Sequence, residues 1–163
     1  MITIDEKPRL LIHAIGNPSR GDDALGCAFL EMLEPWLCKE CFSHIHMQKT
    51  FQLNIEDAYE MSGYDIVVIV DASENLTEEW SLTKITPEIV DEYSSHSISP
   101  STVLNLCGEL YGKFPETYLL EIKGYQWEIG ERLSEQAEKN LWKAFGQFRE
   151  MTKQWYHNPE EAV

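Results

Sequence analysis

Basic residues are scarce in this sequence: 13 lysines and arginines stand against 28 acids, a formal charge of −15. Such a surface repels a phosphate backbone and an anionic membrane face, so nucleic acid is not an expected partner. It favours a metal cation, a basic peptide or a basic protein face, although surplus carboxylates also serve simply to keep a chain soluble. Long apolar runs are missing as well. The two longest, residues 10–15 and 66–70, are strand-sized and far short of the roughly 20 residues that cross a bilayer, so no membrane insertion is expected. The opening residues Met1-Ile2-Thr3-Ile4-Asp5-Glu6 are acidic where a secretory leader is basic and then apolar, and a cytoplasmic address is expected. No repeat, low-complexity tract or linker interrupts the chain. With 163 residues and 43% apolar composition it is expected to form a single domain over 1–163, ending in an acidic, flexible tail at 157–163.

Cysteine is sparse: Cys27, Cys38, Cys41 and Cys107, expected to be free thiols in a reducing compartment. Cys38 and Cys41, followed by His44 and His46, have a spacing that offers a second metal site. Against it, residues 42–48 alternate as the two faces of a strand do, with His44 and His46 on one face. Nucleotide-binding signatures are absent too. Gly16 and Gly21 outline a phosphate loop, yet Asp22-Asp23 stands where that motif needs lysine and a hydroxyl, and Gly-x-Gly-x-x-Gly is missing from the turn.

What is present is an alternation of strands and helices. Residues 9–15 and 64–71 are nearly continuous apolar runs, the pattern of strands buried on both faces of a parallel sheet, and 117–123 is a third. Residues 43–50 give a further strand, and 82–85 a short one. Helices are expected from an Asp22 or Asp23 cap to about Pro35, briefly from about Asn54, from Pro87 to about Ser94, from Ser99-Pro100 through Tyr111, and over about 133–155. The expected fold is a three-layer α/β/α sandwich with a mostly parallel central sheet, phosphorylase/hydrolase-like, whose ligands collect at the carboxyl ends of the strands.

At that edge the first strand delivers the loop 16–26 with Asp22 and Asp23, and the strand 64–71 delivers Asp71. Two carboxylates meeting there raise each other's pKa unless a cation or a shared proton settles them. His96, in the irregular stretch before Ser99-Pro100, completes a set of oxygen and imidazole donors suited to a hard or borderline metal. Each residue also has an ordinary reading: a helix cap for Asp22 or Asp23, a turn for Asp71, the surface for His96. No Ser-His-Asp or Cys-His arrangement surrounds a nucleophile, and Cys27 falls within a helix, where packing is its expected role.

The order of these pieces resembles the nickel-iron hydrogenase maturation endopeptidases. It is carried by Ile15-Gly16-Asn17-Pro18-Ser19-Arg20-Gly21-Asp22-Asp23-Ala24-Leu25-Gly26, then Phe51-Gln52-Leu53, Val70-Asp71-Ala72, Ser95-His96-Ser97, and Gly124-Tyr125-Gln126-Trp127-Glu128 with Leu133-Ser134. Ala24 stands where the family commonly has glycine, and Phe51-Gln52-Leu53 replaces a Gly-Thr type of turn. The resemblance implies removal of the C-terminal extension of a hydrogenase large-subunit precursor after nickel insertion. It implies Asp23, Asp71 and His96 as the metal-binding and catalytic residues, and Gly16, Asn17 and Asp22 as substrate-positioning neighbours. The nickel is expected to come with the substrate's own centre, other divalent metals being able to substitute in vitro, and the free protein is expected to be a monomer. Metal-activated water and a carboxylate dyad of Asp23 and Asp71 both remain open as routes. Rival readings are a noncatalytic relative that binds nickel-loaded subunit or carries metal, and a metal-dependent hydrolase of small molecules.

Overall fold

The computed structural model describes residues 7–90 and 98–156. Five strands, β1 (Leu10–Ile15), β2 (Ile45–Thr50), β3 (Ile66–Ser73), β4 (Trp80–Lys84) and β5 (Glu116–Lys123), form one sheet in the order β2-β1-β3-β5-β4. All neighbours pair parallel except β4, which runs antiparallel along the β5 edge. Helices α1 (Leu25–Glu40), α2 (Asp57–Met61), α3 (Pro100–Tyr111) and α4 (Glu135–Tyr156) cover the two faces. The expected α/β sandwich is the one observed.

Strand alternation assigns the faces. Leu10, Ile12, Ala14, Ile66, Val68 and Val70 point into a core shared with α1 and α4, where Phe29 meets Phe145 and Phe148 edge-on at 5.7 and 5.3 Å. Leu11, Ile15, Val67 and Ile69 point the other way, against Ala58 and Met61 of α2 and Val103, Leu106 and Cys107 of α3. Because α1 and α2 pack on opposite faces while β2 and β3 flank β1 on opposite sides, the chain direction reverses between β1 and β3. That is the switch point at which open α/β sheets leave a crevice beyond their carboxyl ends.

Several expected boundaries move. The first helix does not stop near Pro35 but runs to Glu40. The lost N–H is tolerated because Leu33 and Leu37 stay buried and Trp36 packs on Phe42 and Phe145. The short second helix begins at Asp57, whose carboxylate accepts from the N–H of Asn54 at 2.7 Å. Residues 85–90 form no helix; the remainder of the helix expected from Pro87, like the tail 157–163, lies outside the described residues. Ser99 caps α3 as expected, its hydroxyl accepting from the N–H of Thr102 at 3.2 Å, with Pro100 at the first helical position. Among the described residues no helix is long and apolar enough to cross a membrane.

The second metal site does not assemble. Cys38 and Cys41 sit at the end of α1, His44 lies in a turn before β2, and His46 is paired in register with Leu11, on the α2 and α3 face, where its ring meets Tyr64 at 5.6 Å. The sheet separates His46 from the two thiols. Among the described residues no group of three or more histidine, cysteine, aspartate or glutamate side chains is placed to hold a metal.

Candidate active site

The loop after β1 is folded around Asp23. Gly16 continues the sheet, its N–H donating to the carbonyl of Thr50 at 3.1 Å, and then turns with φ 134°. A Cβ there would lie 2.1 Å from the carbonyl oxygen of Asp23, so only glycine lets the returning 3-10 turn, Gly21–Ala24, lie on the loop. The N–H of Asn17 donates to Asp23 Oδ2 at 2.9 Å, and the side-chain oxygen of Asn17 accepts from Ser19 N–H at 2.9 Å, closing an Asx turn. Gly26 then brings α1 onto the strand ends. Its Cβ, if it had one, would meet the carbonyls of Ile15 at 2.7 Å and Val70 at 3.1 Å.

The two adjacent aspartates face opposite ways, and neither caps a helix as first expected. Asp22 is completely buried. Its Oδ2 accepts from the N–H groups of Tyr125 (2.7 Å) and Gln126 (3.1 Å) and from the hydroxyl of Ser134 (2.7 Å), while Oδ1 accepts from Ser134 N–H at 2.7 Å. Asp22 thus holds the loop 124–134. Asp23 is the half-exposed member. Besides the bond from Asn17, its Oδ2 lies 3.8 Å from Arg20 Nη1.

Asp71 arrives from the neighbouring strand. It extends the row of Val67 and Ile69 beyond the core; β3 runs two residues past it because β5 keeps pairing to Lys123. Its carboxyl is pushed up to about 7, chiefly by burial and also by the charges of Asp23 and Glu121, against the N–H of Ala72 at 2.8 Å, which holds it down in part. The register pairs Asp71 directly with Glu121. Among the described residues no basic side chain forms an ion pair with Asp71. Asp23 and Asp71 are therefore brought to one sheet edge, close enough to repel, as the sequence led us to expect; His96 lies outside the described residues.

Sequence comparison finds no matching family model and no matching curated protein. Comparison with solved structures does. The NiFe hydrogenase maturation protease HycI from Thermococcus kodakarensis superposes with a TM-score of 0.70 over 91% of this chain and 95% of its own, at 22% identity. The fold is that of the hydrogenase maturation proteases. The hydrogenase maturating endopeptidase HybD from E. coli gives 0.68 over 90% and 93% of the two chains at 20% identity, and the HybD maturation protease of Thermococcus kodakarensis 0.64 over 88% and 98% at 21%.

Three residues escaped the sequence reading. Glu121 left no sequence signal, since only the β3–β5 register sets it beside Asp71. Arg20 lies three positions before Asp23 within the motif, a spacing that one turn of 3-10 helix brings together. His13, fully buried on β1, bonds through Nε2 to Thr50 Oγ1 at 2.7 Å and leaves Nδ1 without a partner among the described residues; in sequence it hides inside an apolar strand.

Proposed function

We propose that this chain is an endopeptidase that removes the C-terminal extension of a nickel-iron hydrogenase large-subunit precursor after nickel insertion. The observation that carries the reading is the carboxylate pair at the β1/β3 crevice: Asp23, hydrogen-bonded and facing Arg20, beside half-buried Asp71 at about 7. Functional sites raise the pKa of an acid set beside a second carboxylate in this way. The hydrogenase maturation proteases of the same fold suggest the substrate.

In this reading the nickel belongs to the substrate. Two carboxylates, with the imidazole of His96 as third donor, suit such an ion, and Asp71, which has no ion-pair partner among the described residues, is the group that gains most from one. The bound metal would polarise the scissile carbonyl or acidify a water. Before a metal arrives, Asp71 is near the midpoint of its titration at neutral pH and suited to take up or release a proton, whereas a metal contact would fix it as the carboxylate. Gly16 and Asn17 shape the loop beside Asp23, and Asp22 fixes the segment 124–134 that packs on it.

The test mixes purified protein with nickel-loaded and nickel-free precursor. Shortening of the loaded precursor alone is expected. Binding without shortening would instead identify a noncatalytic relative, and shortening of unrelated peptides a general hydrolase. Intact processing by each of Asp23→Asn, Asp71→Asn and His96→Ala would overturn the site.

A further inference from the structure

Arg20 is held at both its main chain and its side chain. Its N–H donates to the carbonyl of Asn17 at 3.2 Å, its carbonyl accepts from Asp23 N–H at 3.0 Å, and it forms an antiparallel bridge with Ile129. Its Nε donates to the carbonyl of Trp127 at 2.8 Å, with the guanidinium 6.0 Å from the centre of the Trp127 ring. That anchorage leaves Nη1 turned to Asp23, 3.8 Å from the same Oδ2 that accepts from Asn17. Among the described residues it is the one cation within ion-pair distance of either acid of the site. A guanidinium keeps its charge at every pH at which proteins fold, so it leaves the carboxylate only by moving.

We propose that Arg20 is a positioning residue that acts as a resident stand-in cation for Asp23. It keeps the carboxylate oriented in the free protein and competes with loose divalent ions for Oδ2, so that metal is accepted mainly when a polypeptide presents it. Two strands of chemistry support this. A fixed positive charge beside a metal-contacting oxygen lowers affinity for any incoming cation by simple repulsion. A metal carried by a docked polypeptide gains the contacts of that polypeptide as well, which a free ion lacks, so the repulsion weighs on the free ion far more heavily. This inference rests on the reading of Asp23 as a metal-contacting acid.

The experiment titrates the full chain with nickel chloride alone, by calorimetry at low ionic strength, in the wild type, Arg20→Gln, Arg20→Lys, Asp23→Asn and the Arg20→Gln/Asp23→Asn double variant. Because Arg20 is half-exposed, Arg20→Gln is expected to bind nickel about two- to fivefold more tightly than wild type, a gain that shrinks as salt is added. Arg20→Lys, which keeps the charge but not the Nε anchorage, should bind nickel less tightly than Arg20→Gln, and Asp23→Asn should weaken binding and erase the gain. If Arg20→Gln binds no tighter while Asp23→Asn still weakens binding, the role of Arg20 is overturned and the Asp23 site stands. If Asp23→Asn changes nothing in either background, the site reading falls and this inference with it. A lysine variant that behaves like the glutamine variant also overturns it, because charge is then not the agent.

Discussion

Replacing Asp22 with asparagine removes one negative charge and adds two donors in a place where every neighbour already donates. The carboxylate accepts four hydrogen bonds, three at Oδ2 and one at Oδ1, and is closed to water. An amide placed with its oxygen at the Oδ2 position keeps three of them as neutral bonds, each weaker by about 0.5–1 kcal/mol, and turns its NH2 against Ser134 N–H, leaving a buried donor unmade at about 1–3 kcal/mol. The opposite orientation loses three bonds and is worse. Relief from burying a charge offsets part of this, so the net destabilisation should be about 2–4 kcal/mol, a fall in Tm of roughly 5–15 °C for a chain of this size. Urea unfolding followed by circular dichroism measures the global loss. Hydrogen exchange then locates it, since the Tyr125, Gln126 and Ser134 amides should lose protection before those of β1 and β3. A variant within about 0.5 kcal/mol of wild type, with those three amides still protected, would refute the view that this carboxylate holds the loop.

Asp71→Asn should stabilise the protein in a pH-dependent way. An acid at about 7 in the fold and 3.8 when unfolded contributes stability that is complete below 3.8 and lost as pH rises to about 7, about three pH units or close to 4 kcal/mol, so the variant should match wild type near pH 4 and exceed it above pH 7 in urea titrations. A constant difference across that window would contradict the assignment. His13 works in the other direction: burial lowers its pKa below 6.5, so its contribution is present above 6.5 and lost as pH falls, and His13→Gln should flatten that acid limb of the unfolding profile. Gly26→Ala forces a Cβ against the carbonyls of Ile15 and Val70, which are backbone and cannot yield, and should cost about 1–3 kcal/mol in chemical denaturation while slowing precursor processing by lifting the start of α1.

The layers, the parallel core strands and the meeting of Asp23 with Asp71 were legible because hydrophobic period and strand ends are local signals. The doubly buried runs at β1 and β3 announce themselves, and once those strands are adjacent and parallel, acids at their carboxyl ends must share an edge. What was not legible depended on packing. Pro35 reads as a stop until Trp36 is seen wedged against Phe145. His44 and His46 read as a pair until the turn at His44 and the sheet between His46 and the cysteines are known. The motif at 124–134 shows in sequence by its order alone, and its reason lies in the bonds that Tyr125, Gln126 and Ser134 make to a residue more than a hundred positions earlier.

Two identical letters in succession invite the view that one could do the work of the other. In the 3-10 turn successive side chains diverge by about 120°, so Asp22 is turned inward and Asp23 toward the crevice. Loss of the first should be felt by the whole molecule and appear as poor folding or low yield; loss of the second should leave a well-folded protein that fails at its task. Removing one residue between Gly16 and Gly21, with the loop keeping its path, would put Asp23 in the buried slot and Ala24 at the crevice, which would then receive no acid from this loop. The spacing of this loop is in that sense a frame of reading, and the repeated aspartate is unambiguous only while the frame is kept.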